Sequence, residues 1–152
     1  MICTLRTAEP DELMTDRAYQ VYRDCMFAPT EEKYRRKMGG YLADGCRVRV
    51  CEADGSLAGI AVTAPAENGS AELVGIAVER SFRGQGIGHQ LLADAVRQAG
   101  AARLFAETDG DAVGFYRRCG MTAQKLTVLY DGVPVTRYRC ETPEPKKQEK
   151  TT

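Results

Sequence analysis

Residues 2–7 alternate apolar and polar side chains with the period of two expected of a half-buried strand, and Pro10 suits the first turn of a helix that the pattern carries to about residue 28. Thr30, with Glu31 and Glu32 behind it, reads as the cap of a second helix, which Gly39-Gly40 is expected to end. Residues 47–53 and 57–64 are β-rich runs on either side of Asp54-Gly55, a hairpin pair that tolerates positive φ at both positions. A second turn over residues 66–70 leads into a strand at 71–78. Beyond a glycine-rich stretch, Ile87, Leu91, Leu92, Ala95, Val96 and Ala99 recur at helical spacing, with Gln90, Asp94 and Arg97 between them, until Gly100. Residues 103–107 form a short strand, parallel to 71–78 through the helix that joins them. A short helix over 111–119 carries Ala112, Phe115, Tyr116 and Cys119 on one stripe and stops at Gly120. Strands at 122–130 and 133–140 flank Asp131-Gly132, and residues 143–152, with no apolar anchor, are expected to be disordered.

The predicted order is β-α-α-β-β-β-α-β-α-β-β. It describes an α+β fold: a mixed sheet of about seven strands, antiparallel at its ends with a central parallel pair, and helices on both faces. One domain over residues 1–142 is expected, because 152 residues suffice for a single core and leave no room for a second.

Charge narrows the partners. The 21 Lys and Arg balance 21 Asp and Glu, so no global field draws the chain to nucleic acid or to an anionic membrane, and neither is an expected partner. The start of the chain lacks a basic segment followed by an apolar run, and nowhere do about 18 apolar residues follow one another, which points to a soluble cytoplasmic protein. Six cysteines are scattered through apolar elements without a C-x-x-C pair, so reduced core thiols are expected rather than a disulfide framework. Cys46 and Cys51 are an odd number of positions apart in a predicted strand, hence on opposite faces and unsuited to share a metal, and no metal is expected. His89 has no nucleophile arranged about it and receives no catalytic role.

The candidate chemistry lies in Arg83-Gly-Gln-Gly-Ile-Gly88. An apolar strand runs into this turn and the turn opens a helix, where backbone N–H groups lack intrahelical partners and the helix dipole favours an anion. The Gly-Lys-Ser/Thr of a P-loop is missing. The glycine spacing is G-x-G-x-G, and the preceding strand is the fourth of the chain, so the dinucleotide fingerprint does not fit.

Arg83 to Gly88, set after Leu73-Val-Gly-Ile-Ala-Val78 and before Gln90-Leu-Leu92, resembles motif A of the GCN5-related N-acetyltransferases (GNAT). A second signature of that superfamily is present as Asp109-x-x-Ala112-x-x-Phe115-Tyr116-x-x-x-Gly120, and the element order is the superfamily's over nearly the whole chain. The resemblance implies acetyl-CoA as cosubstrate. The backbone of Ile76, Ala77 and Val78 would pair with the pantetheine arm as an added strand does. Main-chain N–H groups of Arg83, Gly84, Gln85, Gly86, Ile87 and Gly88 would surround the pyrophosphate, with Asp109 and Phe115 also at the cofactor and Tyr116 beside its sulfur. Two positions depart from the family's habit, Asp109 for asparagine and Met121 for phenylalanine. Asp109 has no amide N–H to donate, so Thr108 or a water would have to replace it. Gly114 inside the short helix costs about 1 kcal/mol relative to alanine, which a close approach of the cofactor or poor optimisation would explain equally.

Acyl transfer from a thioester to an amine needs an uncharged amine, a stabilised oxyanion and a proton for the leaving thiolate. Tyr116 is the candidate acid: its reference pKa of about 10 keeps it protonated, yet it can donate to a thiolate whose conjugate acid lies near 8.5. Glu72 is the candidate base. It begins the strand that enters the glycine turn, shares parity with Val74, Ile76 and Val78, and its placement relative to Arg83 resembles that of the glutamate base in histone-acetylating members. A solvent-facing strand-end glutamate, with water as proton acceptor, is the other reading, and Glu79 and Glu107 are weaker candidates. The oxyanion donor is expected to be a backbone N–H near Ile76 or Ala77.

The resemblance assigns the acceptor to residues 11–42 and 131–135. Tyr19, Tyr22, Phe27 and Tyr34 recur there at helical spacing that more often marks core than a binding wall, and Lys33, Arg35, Arg36 and Lys37 read as a solvated helix face. The expected activity is direct acetyl transfer to a primary amine of a small molecule or peptide. A non-catalytic acyl-CoA-binding sensor is the alternative, zero net charge disfavours a transferase acting on aminoacyl-tRNA, and a homodimer is in keeping with families of this kind.

Overall fold

Three two-residue turns carry positive φ at both positions: Asp54 and Gly55 at 52° and 77°, Asn68 and Gly69 at 50° and 77°, Asp131 and Gly132 at 48° and 79°. This twist matches that of antiparallel strands, so each turn reverses the chain between adjacent elements. In the computed structural model, which describes residues 3–143, the elements are β1 (Cys3–Thr7), α1 (Asp16–Tyr22), α2 (Glu31–Ala43), β2 (Arg47–Ala53), β3 (Ser56–Thr63), β4 (Ser70–Val78), α3 (Ile87–Ala99), β5 (Arg103–Thr108), α4 (Val113–Arg118), β6 (Thr122–Tyr130) and β7 (Val133–Glu141). The expected strand start at residue 2 and the expected disorder of residues 144–152 lie outside the described residues. The fold class is the expected one, a seven-stranded mixed sheet with one parallel pair and strand order β1-β2-β3-β4-β5-β7-β6.

The chain divides into two compact units, one ending at Leu104 and the other starting at Phe105, within β5. In the first, β1 to β4 pair antiparallel in chain order. Helices cover both faces, as expected. Val48, Val50, Ile60, Val62 and Ala77 meet Leu13, Val21, Tyr22, Tyr34 and Met38 of the α1–α2 side. On the opposite face Gly59 lies so close to Ile87 and Leu91 of α3 that a Cβ there would sit 2.6 Å from the Leu91 side chain. In the second unit, β7 pairs antiparallel with both β5 and β6.

Several local expectations give way to tertiary demands. The first helix does not run from residue 10 to 28. Thr15 is extended (φ −91°, ψ 160°) and its side chain caps α1 by accepting from the Ala18 N–H, with single 3-10 turns at Glu12–Met14 and Arg23–Cys25 on either side. Nor does Gly39-Gly40 end α2, because helical Tyr41 and Leu42 pack against the core. The helix stops at Gly45 (φ 78°), where Gly45 N–H donates to Leu42 O and Cys46 N–H to Tyr41 O, the paired bonds of a Schellman motif.

On α3 the polar stripe is misassigned. Asp94 is buried, with Arg49 of β2 donating to both carboxylate oxygens at 2.8 and 3.0 Å, while Val96 faces solvent. Among the described residues no cysteine is in a disulfide, as expected; Cys51 and Cys140 are buried, Cys3, Cys46 and Cys119 are half-buried and Cys25 is exposed, so only two are fully core thiols. Cys46 precedes β2 rather than lying within it, which removes the shared-strand premise for it and Cys51.

Candidate active site

β4 delivers the candidate residues, and a bulge decides how. Val62 pairs with Gly75 while Thr63 pairs with Leu73, leaving Val74 as the extra residue. Beyond it, Gly75 and Ala77 face the α1–α2 core and Ile76 and Val78 face α3 with their partners Ala61 and Gly59. Before it, Ala71 and Leu73 are buried outside the α1–α2 core cluster, so Glu72 between them points to the α1–α2 side, as Val74 does. The expected shared parity of Glu72 with Ile76 and Val78 is therefore corrected: an inserted residue reverses the alternation, and Glu72 lies on the face opposite theirs.

Backbone directions follow from the same ladder. Glu79 N–H donates to Ala58 O at 2.8 Å, which makes Gly59–Val78 a non-hydrogen-bonded pair and Ile60–Ala77 the pair that exchanges both bonds. Ile76 and Val78 thus direct their N–H and C=O groups away from β3. Ala77 has spent its own on Ile60, so, contrary to expectation, it has no backbone group left to offer a pantetheine arm or an oxyanion.

The strand ends in a single 3-10 turn, Arg80–Phe82, and the chain then passes Gly84 (φ 75°) and Gly86 (φ 83°) before α3 begins at Ile87. The first intrahelical bond is Gln90 N–H to Gly86 O. The N–H groups of Gly84, Gln85, Gly86, Ile87 and Gly88 have no partner among the described residues, and no side chain caps the helix. Five consecutive free N–H groups at a helix start, two of them on left-handed glycines, are donors from which an oxyanion can accept. Arg83 differs from the expectation. Its N–H goes to Arg80 O at 3.3 Å, and its guanidinium donates to Val78 O at 3.0 Å and to Asp24 at 2.8 Å, so it braces the turn.

Among the candidate carboxylates, Glu72 is half-buried near the strand start. Glu79 is engaged otherwise: it accepts from the Ser81 N–H at 3.0 Å and from the Ser81 hydroxyl, and these bonds hold its carboxyl below the usual range. Glu107 is exposed on β5. Of the acceptor-side aromatics, Tyr22 and Tyr34 are core and tilted against each other with centroids 5.7 Å apart, Tyr19 packs beside them, and Phe27 is 97% exposed. Lys33, Arg35, Arg36 and Lys37 are solvated, as expected.

In the second unit, Asp109 does what its carboxylate can do and an amide N–H is not needed for. Its Oδ1 accepts from the N–H groups of Asp111 and Ala112, each at 3.0 Å, and so fixes the turn into α4. Tyr116 is buried, with half-buried Phe115 packed edge-on at 5.2 Å, and Thr108 and Met121 are also buried. A Cβ at Gly114 would meet nothing nearer than the flexible end of Arg118 at 3.2 Å.

One residue escaped sequence reasoning altogether. Asp24 binds both Arg80 and Arg83 across more than fifty positions, and an acid in the short 3-10 turn after α1 carries no local sign of such a partner.

Compared with known families, residues 15–121 match the model of the Acetyltransferase (GNAT) family. No curated protein matches the chain in sequence. Solved structures share its fold. The ribosomal-protein-S18-alanine N-acetyltransferase from Escherichia coli is 20% identical over 99% of each chain, with a TM-score of 0.72. An acetyltransferase from Bacillus subtilis in complex with CoA is 20% identical over 93% of this chain and 98% of its own, with a TM-score of 0.71. A GNAT family acetyltransferase from Elizabethkingia anophelis with acetyl-CoA bound is 20% identical over 92% of this chain and 97% of its own, with a TM-score of 0.66.

Proposed function

Because the chain belongs to the acetyltransferase (GNAT) family, we propose that it takes acetyl-CoA as donor and passes the acetyl group directly to a primary amine of a small molecule or peptide, with residues 1–142 as the acetyltransferase domain. The observation that carries the donor assignment is the run of five free N–H groups from Gly84 to Gly88 at the start of α3. A pyrophosphate supplies the negative charge and the oxygen acceptors that free N–H groups at a helix start favour, with no lysine needed. The outward N–H and C=O of Ile76 and the outward N–H of Val78, whose C=O is held by Arg83, suit an amide-bearing arm laid beside β4.

The reaction assigns each proton. The amine nitrogen attacks the thioester carbonyl carbon, its proton passes to Glu72 directly or through a water, and the Ile76 N–H donates to the oxyanion. The C–S bond then breaks and Tyr116 O–H protonates the departing CoA thiolate. The α1–α2 orientation of Glu72 supports its role, since that helical pair is the side on which the family binds acceptors. Phe115 and Asp109 belong with Tyr116: the first packs on its ring and the second sets the turn that starts its helix.

Release of CoA, followed by mass spectrometry against a panel of amines, tests this function. A transferase turns over with at least one amine; a sensor binds acetyl-CoA and releases nothing beyond the rate without protein. Within an active enzyme, Glu72→Gln should lower the rate and shift its pH profile, and full retention of both would move the base to water.

A further inference from the structure

Asp24 lies in the single 3-10 turn that follows α1, on the acceptor side of the first unit, yet its carboxylate is held by the segment that joins β4 to α3. Arg80 donates to both of its oxygens, Nε at 3.0 Å and Nη2 at 3.1 Å, and Arg83 Nη2 donates to Oδ2 at 2.8 Å. Arg83 also holds Val78 O through Nε at 3.0 Å. One carboxylate therefore ties together the end of β4, through Arg83 and Val78, and the residue immediately before the first free N–H, at Gly84. The paired guanidinium groups, Arg80 foremost, hold the Asp24 carboxyl below the usual range, so it stays charged near neutral pH.

The turn needs an external brace. Gly84 and Gly86 hold left-handed φ values within the run of five free donors, and the same glycines leave the free turn many other conformations. An anion that binds a turn already set loses less affinity to ordering than one that must freeze it. The stability of the fold, by contrast, owes little to this pair of arginines: their side chains are 68% and 49% exposed, and exposed ion pairs contribute little.

We propose that Asp24 is a positioning residue for the phosphate cradle: by anchoring Arg80 and Arg83 it holds residues 84–88 in the anion-binding conformation. This rests on the proposal that the cradle takes the CoA pyrophosphate. Asp24 touches no reacting atom, and its effect is exerted on donor affinity.

The test compares wild type, Asp24→Asn, Asp24→Ala and Asp24→Glu as full chains, by calorimetric titration with CoA and by kinetics with acetyl-CoA and with acetyl-pantetheine, which has no pyrophosphate. The expected result is a Kd for CoA about fivefold to tenfold higher in Asp24→Asn and Asp24→Ala, with partial recovery in Asp24→Glu. The ratio of kcat/KM for acetyl-CoA to that for acetyl-pantetheine should fall by the same factor. Equal CoA affinity in wild type and variants overturns the positioning role, as does tighter binding, which would mean that Asp24 withholds its arginines from phosphate. Equal losses with both thioesters also overturn it, since they report general disruption. A wild-type protein that binds no CoA overturns the donor assignment and this inference together.

Discussion

Gly75→Ala probes the contact on which the geometry of β4 depends. Gly75 follows the bulge at Val74 and faces Tyr22, and a Cβ added there would lie 1.9 Å from the Tyr22 hydroxyl oxygen and 2.8 Å from Cζ. Ordinary contact begins near 3.4 Å, so strand and ring must separate by about 1.5 Å, the difference between 3.4 and 1.9. Neither yields easily. Tyr22 is 1% exposed and backed by Tyr34, while Gly75 is paired with Val62 in a strand whose core side is packed. Overpacking in a filled core costs about 1 to 3 kcal/mol, and the depth of this overlap places it at about 3. For a chain of this length that lowers Tm by about 6 to 12 °C. Urea unfolding followed by circular dichroism measures it: Cm should fall with m unchanged, and Tyr22→Ala combined with Gly75→Ala should cost at least 1 kcal/mol less than the sum of the two, by about the coupling expected of residues in contact. A Gly75→Ala protein melting within about 1 °C of wild type, or strict additivity of the pair, would refute the packing account.

Asp94→Asn leaves half-buried Arg49 without the charge of its buried partner and should cost about 2 kcal/mol in the same urea experiment; a loss below about 0.5 would show the pair to be dispensable. The Arg6 guanidinium holds the Glu12 carboxyl below its ordinary value, so its contribution is present above the unfolded pKa of about 4.3 and is lost as pH falls through the lower folded one. Glu12→Gln should accordingly be less stable than wild type at pH 7, with the gap closing below pH 4, and a gap independent of pH would exclude the ion pair as its source. Gly114→Ala should raise stability by about 0.5 to 1 kcal/mol, because only the movable end of Arg118 is in the way, and a simultaneous rise in KM for acetyl-CoA would assign the glycine to cofactor approach. Tyr116→Phe should lower kcat at least about tenfold with the Kd for CoA unchanged, and an undiminished kcat would remove the tyrosine from acid catalysis.

What the sequence determined by itself is what nearest neighbours decide. The Asp-Gly and Asn-Gly turns need positive φ that few other pairs supply, the strands between them alternate, and a glycine run that opens an amphipathic helix leaves N–H groups free wherever it folds. Those local signals were enough for the element order, the sheet class and the run of free N–H groups at the start of α3. Tertiary structure decided everything that depended on a distant partner. Helix α2 crosses Gly39-Gly40 because Tyr41 and Leu42 find the core, and Asp94 leaves the solvent face because Arg49 of β2 meets it. The bulge at Val74 turns Glu72 away from the face of Ile76 and Val78, since a single unpaired residue reverses a period of two. Asp24 reaches Arg80 and Arg83 across 56 and 59 positions, a separation over which no spacing rule operates, because only the packing of α1 on β4 brings those charges within hydrogen-bond distance.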